Sequence, residues 1–436
     1  MSWWSRRRQT PLLVGALVLV LLLGLWGAGT AGAVPFAYLP NSVSGTVSVI
    51  DTATNTVVAT VTVDTLPNGV AVTPTGNRVY VTNSGGARVS VIDTFTNTVV
   101  ATVTVGLVPR GVAVNVVGTR VYVANSGSGN TSVIDTATNT VVATVTVGTT
   151  PAGVVVNPLG TRVYVANNVG SKVSVIDTAT NTVVATVTVG SVPRGIAVNP
   201  TGTRVYVGNT VSNNVSVIDT ATNTVVATVT VGTVPGGLAV NAAGTRVYVA
   251  NDFSSNNVSV IDTATNTVVA TVAVGTGPQG VSVTPDGARL YVANTGSGNV
   301  SVINTATNTV VATVTVGTGP IALGIFIPQW FLLGVPTLSE WGMILLALSL
   351  LTLGTWQMTG RPALLGVVST GGGAFLRIPA QPLVRSVLVG QLIAGIGLTL
   401  YGQLVAPVAA HDVVGAGLAG LLLGVMLECS RRTQRP

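Results

Sequence analysis

Residues able to do chemistry are scarce in this chain, and their placement excludes several reaction classes. The one histidine, His411, stands next to Asp412, and the one cysteine is Cys429. Residues 34–328 therefore hold neither, so a Ser–His–Asp triad, CxxCH haem attachment and His or Cys metal ligation are ruled out there. This sets aside redox chemistry through haem, copper or quinone cofactors in that region. No GxxxxGK(S/T) phosphate loop occurs. The sequence implies no cofactor and no metal. His411 reads as a loop residue at a membrane boundary rather than as a proton relay.

What does recur is an aspartate. Asp51, Asp93, Asp135, Asp177, Asp219 and Asp262 each end an "SVID" segment, and Asn304 takes the seventh place. Each aspartate is followed by hydroxyls and an asparagine, as in "DTATN", without the spaced carboxylates of a calcium loop. The expectation is structural: Asp caps a turn with its side chain, and Asn accepts the left-handed conformation. The asparagines of "YVAN" are expected to cap the following loop in the same way. Asn-x-Ser/Thr triplets at Asn130, Asn214, Asn257 and Asn299 follow from the wording of the repeat.

Recognition is expected where the copies differ. The segments "SGGAR", "SGSGNT", "NVGSK", "TVSNN" and "DFSSNN" vary, as do the connectors "PNG", "PRG", "PAG", "PGG" and "PQG". Binding residues concentrate on variable loops held by a rigid scaffold. The ligand-binding candidates are Asn68, Arg88, Arg110, Lys172, Arg194, Asp252 and Gln279.

The elements that must position these residues follow from the repeat. The "SVID" segments recur every 42 or 43 residues, a period that marks solenoids, propellers or arrays. Each period holds four strand-like pieces. In the copy at 153–190 these are "GVVVNP", "RVYVAN", "VSVID" and "TVVATVTVG", with "TATN" as a hairpin loop. Val and Thr dominate because β-branched side chains suit a pleated surface. In "RVYVAN", Val163 and Val165 share one face and Tyr164 takes the other.

Four strands per period match a propeller blade. The stretch "FAYLPN" (36–41) has the register of a second strand, whereas "TGPIALGIFIP" (318–328) reads as a first strand with nothing to follow it. The two ends are expected to share one blade, which closes a ring of seven. First strands are expected to begin at Gly69, Gly111, Gly153, Gly195, Gly237 and Gly280. The fold class is thus all-β: a seven-bladed β-propeller of four-stranded antiparallel blades.

On the motifs "YVTN" at Tyr80–Asn83, "YVAN" at Tyr122, Tyr164, Tyr248 and Tyr291, and "YVGN" at Tyr206, the region 34–328 resembles the YVTN family of β-propeller repeat proteins. The resemblance implies seven blades and an envelope or surface protein. It implies no particular activity.

The flanks supply an address. The formal charge is +7, but residues 34–328 carry ten bases against nine acids. The excess therefore lies beside apolar segments, which fits membrane topology and not nucleic acid. Residues 1–33 read as a signal peptide: Arg6, Arg7 and Arg8, then an apolar run, then Ala31 and Ala33 framing a cleavage site. After a linker at 329–334, residues 335–361 read "VPTLSEWGMILLALSLLTLGTWQMTGR". This resembles the IPTL-CTERM sorting signal of Gram-negative bacteria, with Val335 in place of Ile. The resemblance implies that Pro336, Thr337, Leu338, Ser339, Glu340, Trp341 and Gly342 are read by sorting or processing machinery.

The extension 362–436 adds apolar stretches near 386–406 and 413–428. Three spans would place Arg361, Arg377, Arg385, Arg431, Arg432 and Arg435 on one side, as the positive-inside rule requires. The expected protein is non-enzymatic. It is an exported, membrane-anchored or surface-sorted binding, adhesion or structural envelope module, with a protein or glycan as surface ligand. A lactonase-like propeller hydrolase and a membrane-bound sensor are the alternatives.

Overall fold

The computed structural model describes residues 36–328. The signal peptide with Ala31 and Ala33, the linker, the sorting motif Pro336–Gly342 and the three expected spans lie outside them. No helix among the described residues is long and apolar enough to cross a membrane.

The Val/Thr-rich copies form antiparallel strands. The first blade contributes β1 (Phe36–Asn41), β2 (Thr46–Asp51) and β3 (Thr56–Thr62). The second contributes β4 (Pro67–Val72), β5 (Arg78–Asn83), β6 (Arg88–Asp93) and β7 (Thr98–Thr104). Five further four-stranded sheets repeat this order, the last ending at Thr315. The chain is a seven-bladed, all-β propeller.

Packing follows the alternation of the second strand. Tyr80 joins Val89, Val91 and Val103 of its own blade to Val112, Val121, Val123 and Ile134 of the next. Val79, Val81 and Ile92 face the preceding blade instead. In the later copy, Val163 and Val165 pack with Tyr122, whereas Tyr164 packs with Val205 and Val207. The core is thus a series of apolar sandwiches between blades, and its repetition explains the repetition of the sequence.

The ring closes between the chain's two ends. The Tyr38 N–H donates to the Phe326 carbonyl at 2.8 Å, Ile321 N–H to Pro40 O at 2.9 Å and Ser42 N–H to Gly319 O at 2.8 Å. Phe326 and Ile327 are fully buried, in a cluster spanning Tyr38, Val49, Tyr291 and Val302. Tyr291 Oη also crosses this seam, donating to Asn55 Oδ1 at 2.6 Å. The closing segment is less regular than the strand expected from its sequence. It makes one bridge, Asn41↔Pro320, and then departs from the ladder. Gly324 lies at φ 144°, and a side chain there would strike the Val70 carbonyl at 2.2 Å.

Two other expectations need correction. The first strands begin two residues early, at the proline: Pro67 pairs with Asn83, and a bulge separates Pro67 from Val70. The connector residues are therefore part of the inner strand. The "YVAN" asparagines are buried and do not cap the loop that follows them; the one loop N–H that such a side chain takes, Gly148 N–H to Asn167 Oδ1 at 3.1 Å, lies in the connector before it. Asn125 Nδ2 instead donates to Ser132 Oγ at 2.9 Å and Asn130 Oδ1 at 2.8 Å, tying the second strand to the third. The glycine ending the previous blade packs on it: a Cβ at Gly106 would meet Asn125 Cγ at 2.7 Å.

The outermost strands leave exposed valines such as Val99 and Val100, with no charge to discourage edge pairing. Each contains a bulge at the second of these valines, where the register of Val91↔Ala101 shifts to Ile92↔Val99. Such a bulge twists the edge away from a pairing geometry.

Candidate functional site

The two rims of the ring are built differently. One carries the "TATN" hairpins. There Asp135 Oδ1 accepts from Ala137 N and Thr138 N at 3.0 Å each, while Oδ2 meets Arg120 Nη1 at 2.5 Å. The same arrangement recurs at Arg78–Asp93, Arg162–Asp177, Arg204–Asp219 and Arg246–Asp262. Backbone N–H donation, from Thr138 in the case of Asp135, holds these carboxyls below their ordinary range, and the arginines add to it. Asn139 and its equivalents take φ near 53°, as their position in the turn requires. The expected turn cap is observed, and every charge on this rim is already satisfied where both partners exist.

The other rim carries the variable loops and the blade connectors. They touch: Ser84 N–H donates to Leu66 O, and Ser126 N–H to Val108 O, at 3.0 Å each. The residue before the proline is held left-handed, with Val108, Val192 and Val234 at φ 51–55°. β-branched residues seldom adopt this conformation, so backbone strain is stored at this rim.

The residue after each connector proline belongs to a ring around the channel mouth: Asn68, Arg110, Ala152, Arg194, Gly236, Gln279 and, at the seam, Ile321. The following glycine permits this crowding, since a Cβ on Gly195 would lie 2.0 Å from the Gly236 carbonyl.

Four candidates gather here. Arg194 Nη2 donates to Gln279 Oε1 at 2.6 Å, and Gln279 Nε2 donates to Asp252 Oδ2 at 2.9 Å. Asp252 is buried, and its Oδ1 accepts from Phe253 N at 2.6 Å. Burial lowers the Arg194 pKa; the charge of Arg110 lowers it further, and Asp252 opposes both. Asn68 occupies the same ring position, with a buried Oδ1 that finds no partner. Arg88 and Lys172 do not join them. Each opens a third strand, is exposed, and lies away from the inner strands; Arg88 is 3.7 Å from Asp64.

Sequence reasoning missed Thr82, whose Oγ1 donates to the Arg110 carbonyl at 2.5 Å and accepts from Gly69 N at 2.7 Å. Its signal was visible: Thr stands there where the five later copies have Ala or Gly and the first has Pro40.

Below the glycines the channel is apolar. A cavity of about 140 Å³ is lined by residues such as Val112, Val154, Ile196, Leu238, Val281 and Leu323, with Asn157, Asn241 and Ser282 as rare polar groups. Among the described residues no three His, Cys, Asp or Glu side chains come together as a metal site would need.

Two families match parts of the chain: a YNCE-like beta-propeller over residues 202–327 and a lactonase, 7-bladed beta-propeller, over residues 136–237. Both are propellers. No curated protein matches the chain. Among solved structures, hydrazine synthase of Kuenenia stuttgartiensis is 27% identical at a TM-score of 0.57, over 62% of this chain and 92% of that one. A putative 6-phosphogluconolactonase from Bacteroides uniformis is 18% identical at a TM-score of 0.58, over 66% and 98%. A functionally unknown protein from Desulfotomaculum acetoxidans is 17% identical at 0.56, over 66% and 99%. At such identities the last two likenesses speak of the fold alone. This propeller differs from blade to blade mainly on one rim.

Proposed function

We propose that this is an exported YVTN-type propeller acting as a non-catalytic binding, adhesion or structural module of the cell envelope. The membrane or surface attachment rests on the leader before Ala33, the IPTL-CTERM-like segment at Pro336–Gly342 and the distribution of arginines beyond it. The observation that carries the binding role is the gathering of Arg110, Arg194, Gln279 and Asp252 at one mouth of an otherwise apolar channel. Variable polar residues on a rigid, repeated scaffold are the usual form of a recognition surface.

A lactonase-like hydrolase is the second reading. The lactonase family match over residues 136–237 favours it. Its catalytic groups would have to come from the same mouth, because the channel walls supply few others. Turnover of simple lactones by the purified full-length protein, lost in Arg194→Gln, would replace the binding role by this one.

The address is tested by intact-mass spectrometry of the protein from fractionated cells. The expected result is a membrane or surface fraction whose chain begins near Val34. A chain starting at Met1 in the soluble cytoplasmic fraction contradicts the proposal.

A further inference from the structure

Along the variable mouth from Arg110 to Gln279, large polar residues alternate with small ones. Arg194 reaches past Gly236 to Gln279, and on its other side only Ala152 separates it from Arg110. The two guanidiniums feel each other's charge, and one carboxylate, Asp252, acts on Arg194 in the opposite sense. Both oxygens of Asp252 are engaged elsewhere, by Gln279 Nε2 and by the Phe253 N–H. Arg194 Nε is buried and donates to nothing, and no hydrogen bond or ion pair engages the Arg110 side chain among the described residues. A buried donor without an acceptor is costly, and two neighbouring cations without an anion add to that cost.

We infer that Arg110 and Arg194, which flank Ala152 in the ring of connector residues, form a binding site for a carboxylate group presented from the variable rim. Guanidinium forks match the plane and spacing of a carboxylate, which would take the free Nε–H of Arg194 and the N–H groups of Arg110. With Asp252 counted, the cluster bears one excess positive charge, which suits a monoanion and not the dianion of phosphate. The Arg194–Gln279–Asp252 chain then fixes one wall of the site. This inference rests on the reading of the variable rim as the recognition surface and names its chemistry.

The test uses the full-length protein with 15N-labelled arginine side chains. Acetate is the carboxylate probe, chloride at equal ionic strength the control and inorganic phosphate the competitor. Acetate is expected to shift the Arg194 Nε–H resonance saturably, with chloride leaving it in place. Arg110→Gln should weaken the acetate response at least about tenfold, as the loss of one charge-assisted partner implies. Because the Arg110 side chain makes no hydrogen bond or ion pair among the described residues, this variant is expected to keep its fold, checked by unchanged resonances of the rim pair Arg120–Asp135. A response equal for acetate and chloride overturns the inference, as does tighter saturation by phosphate or an unchanged acetate response in Arg110→Gln. The wider reading of the rim survives those results if Arg110→Gln and Arg194→Gln still reduce binding to envelope material, and fails if they do not.

Discussion

The rim bearing the "TATN" turns repeats one solution around the ring, while the opposite rim repeats only its backbone. On the first, an aspartate such as Asp135 answers two backbone N–H groups and an arginine, and the groups left without a hydrogen-bond partner, Asn139 Oδ1 and its equivalents, are buried and repeat from blade to blade. On the second, the Pro-X-Gly frame holds in six of the seven connectors, the last being Pro320-Ile321-Ala322, while X changes from Asn to Arg to Ala to Gly to Gln. Polar groups there remain open, among them Arg194 Nε and Asn68 Oδ1. The difference teaches how to read a repeat: what recurs builds the ring, and what occurs once is available for recognition.

The seam offers the strongest way to break this comparison, because the constant rim departs from its pattern there. Phe36 stands where other blades have the arginine, and Asn304 where they have the aspartate. Closure must instead come from burial, with Phe326 fully enclosed between the chain ends. Phe326→Ala is expected to cost about 3–5 kcal/mol. Urea unfolding would measure it; a loss below about 1 kcal/mol would mean that the ends do not hold the ring.

Glycines sharpen the contrast next. At the variable rim, Gly195→Ala would drive a methyl into the Gly236 carbonyl and Leu238, and should cost about 1–3 kcal/mol. At the constant rim, Gly160 has φ +69° but nothing nearer than Val116 Cγ1 at 3.8 Å. Gly160→Ala should cost only the left-handed strain of about 1 kcal/mol. Equal melting points for the two variants would erase the distinction.

The smallest effect belongs to the repeated charges. Asp135→Asn removes the ion pair with Arg120 but keeps the turn, since Asn304 already caps the seventh copy by accepting from Ala306 N at 2.9 Å and Thr307 N at 3.2 Å. The expected loss at neutral pH is below about 1 kcal/mol. The pH dependence has a definite sign. The folded Asp135 carboxyl titrates below its ordinary 3.8, so its contribution is present above that value and disappears as pH falls through the depressed one. The melting temperature of the wild type should therefore drop more steeply than that of Asp135→Asn on acidification below pH 4. Parallel curves would show that the rim carboxylates contribute no such linkage.

Much of this was legible in the chain. The 42-residue period, the β-branched alternation and the mismatched ends at Tyr38 and Ile327 are enough to derive a closed ring, because inter-blade packing repeats in register with the sequence. The candidate list contained Arg110, Arg194, Asp252 and Gln279, but not their convergence. That depends on a bulge after the proline, which brings the connector residue into the inner strand and which no hydrophobic pattern records. Arg88 and Lys172 looked equivalent in sequence because variability alone does not distinguish the start of a third strand from the channel mouth. The buried asparagines were misjudged for a related reason: Asn125 is polar, yet its amide is used across strands rather than in the loop.

The most direct measurement compares the two rims as binding surfaces. Fluorescently labelled full-length protein would be titrated onto envelope preparations as wild type, Arg110→Gln, Arg194→Gln and Phe95→Ala. Phe95 is the constant rim's one departure from "TATN" and is almost wholly exposed. Binding should fall in both arginine variants and stay unchanged in Phe95→Ala. Loss in Phe95→Ala, with both arginine variants binding as wild type, would contradict the account.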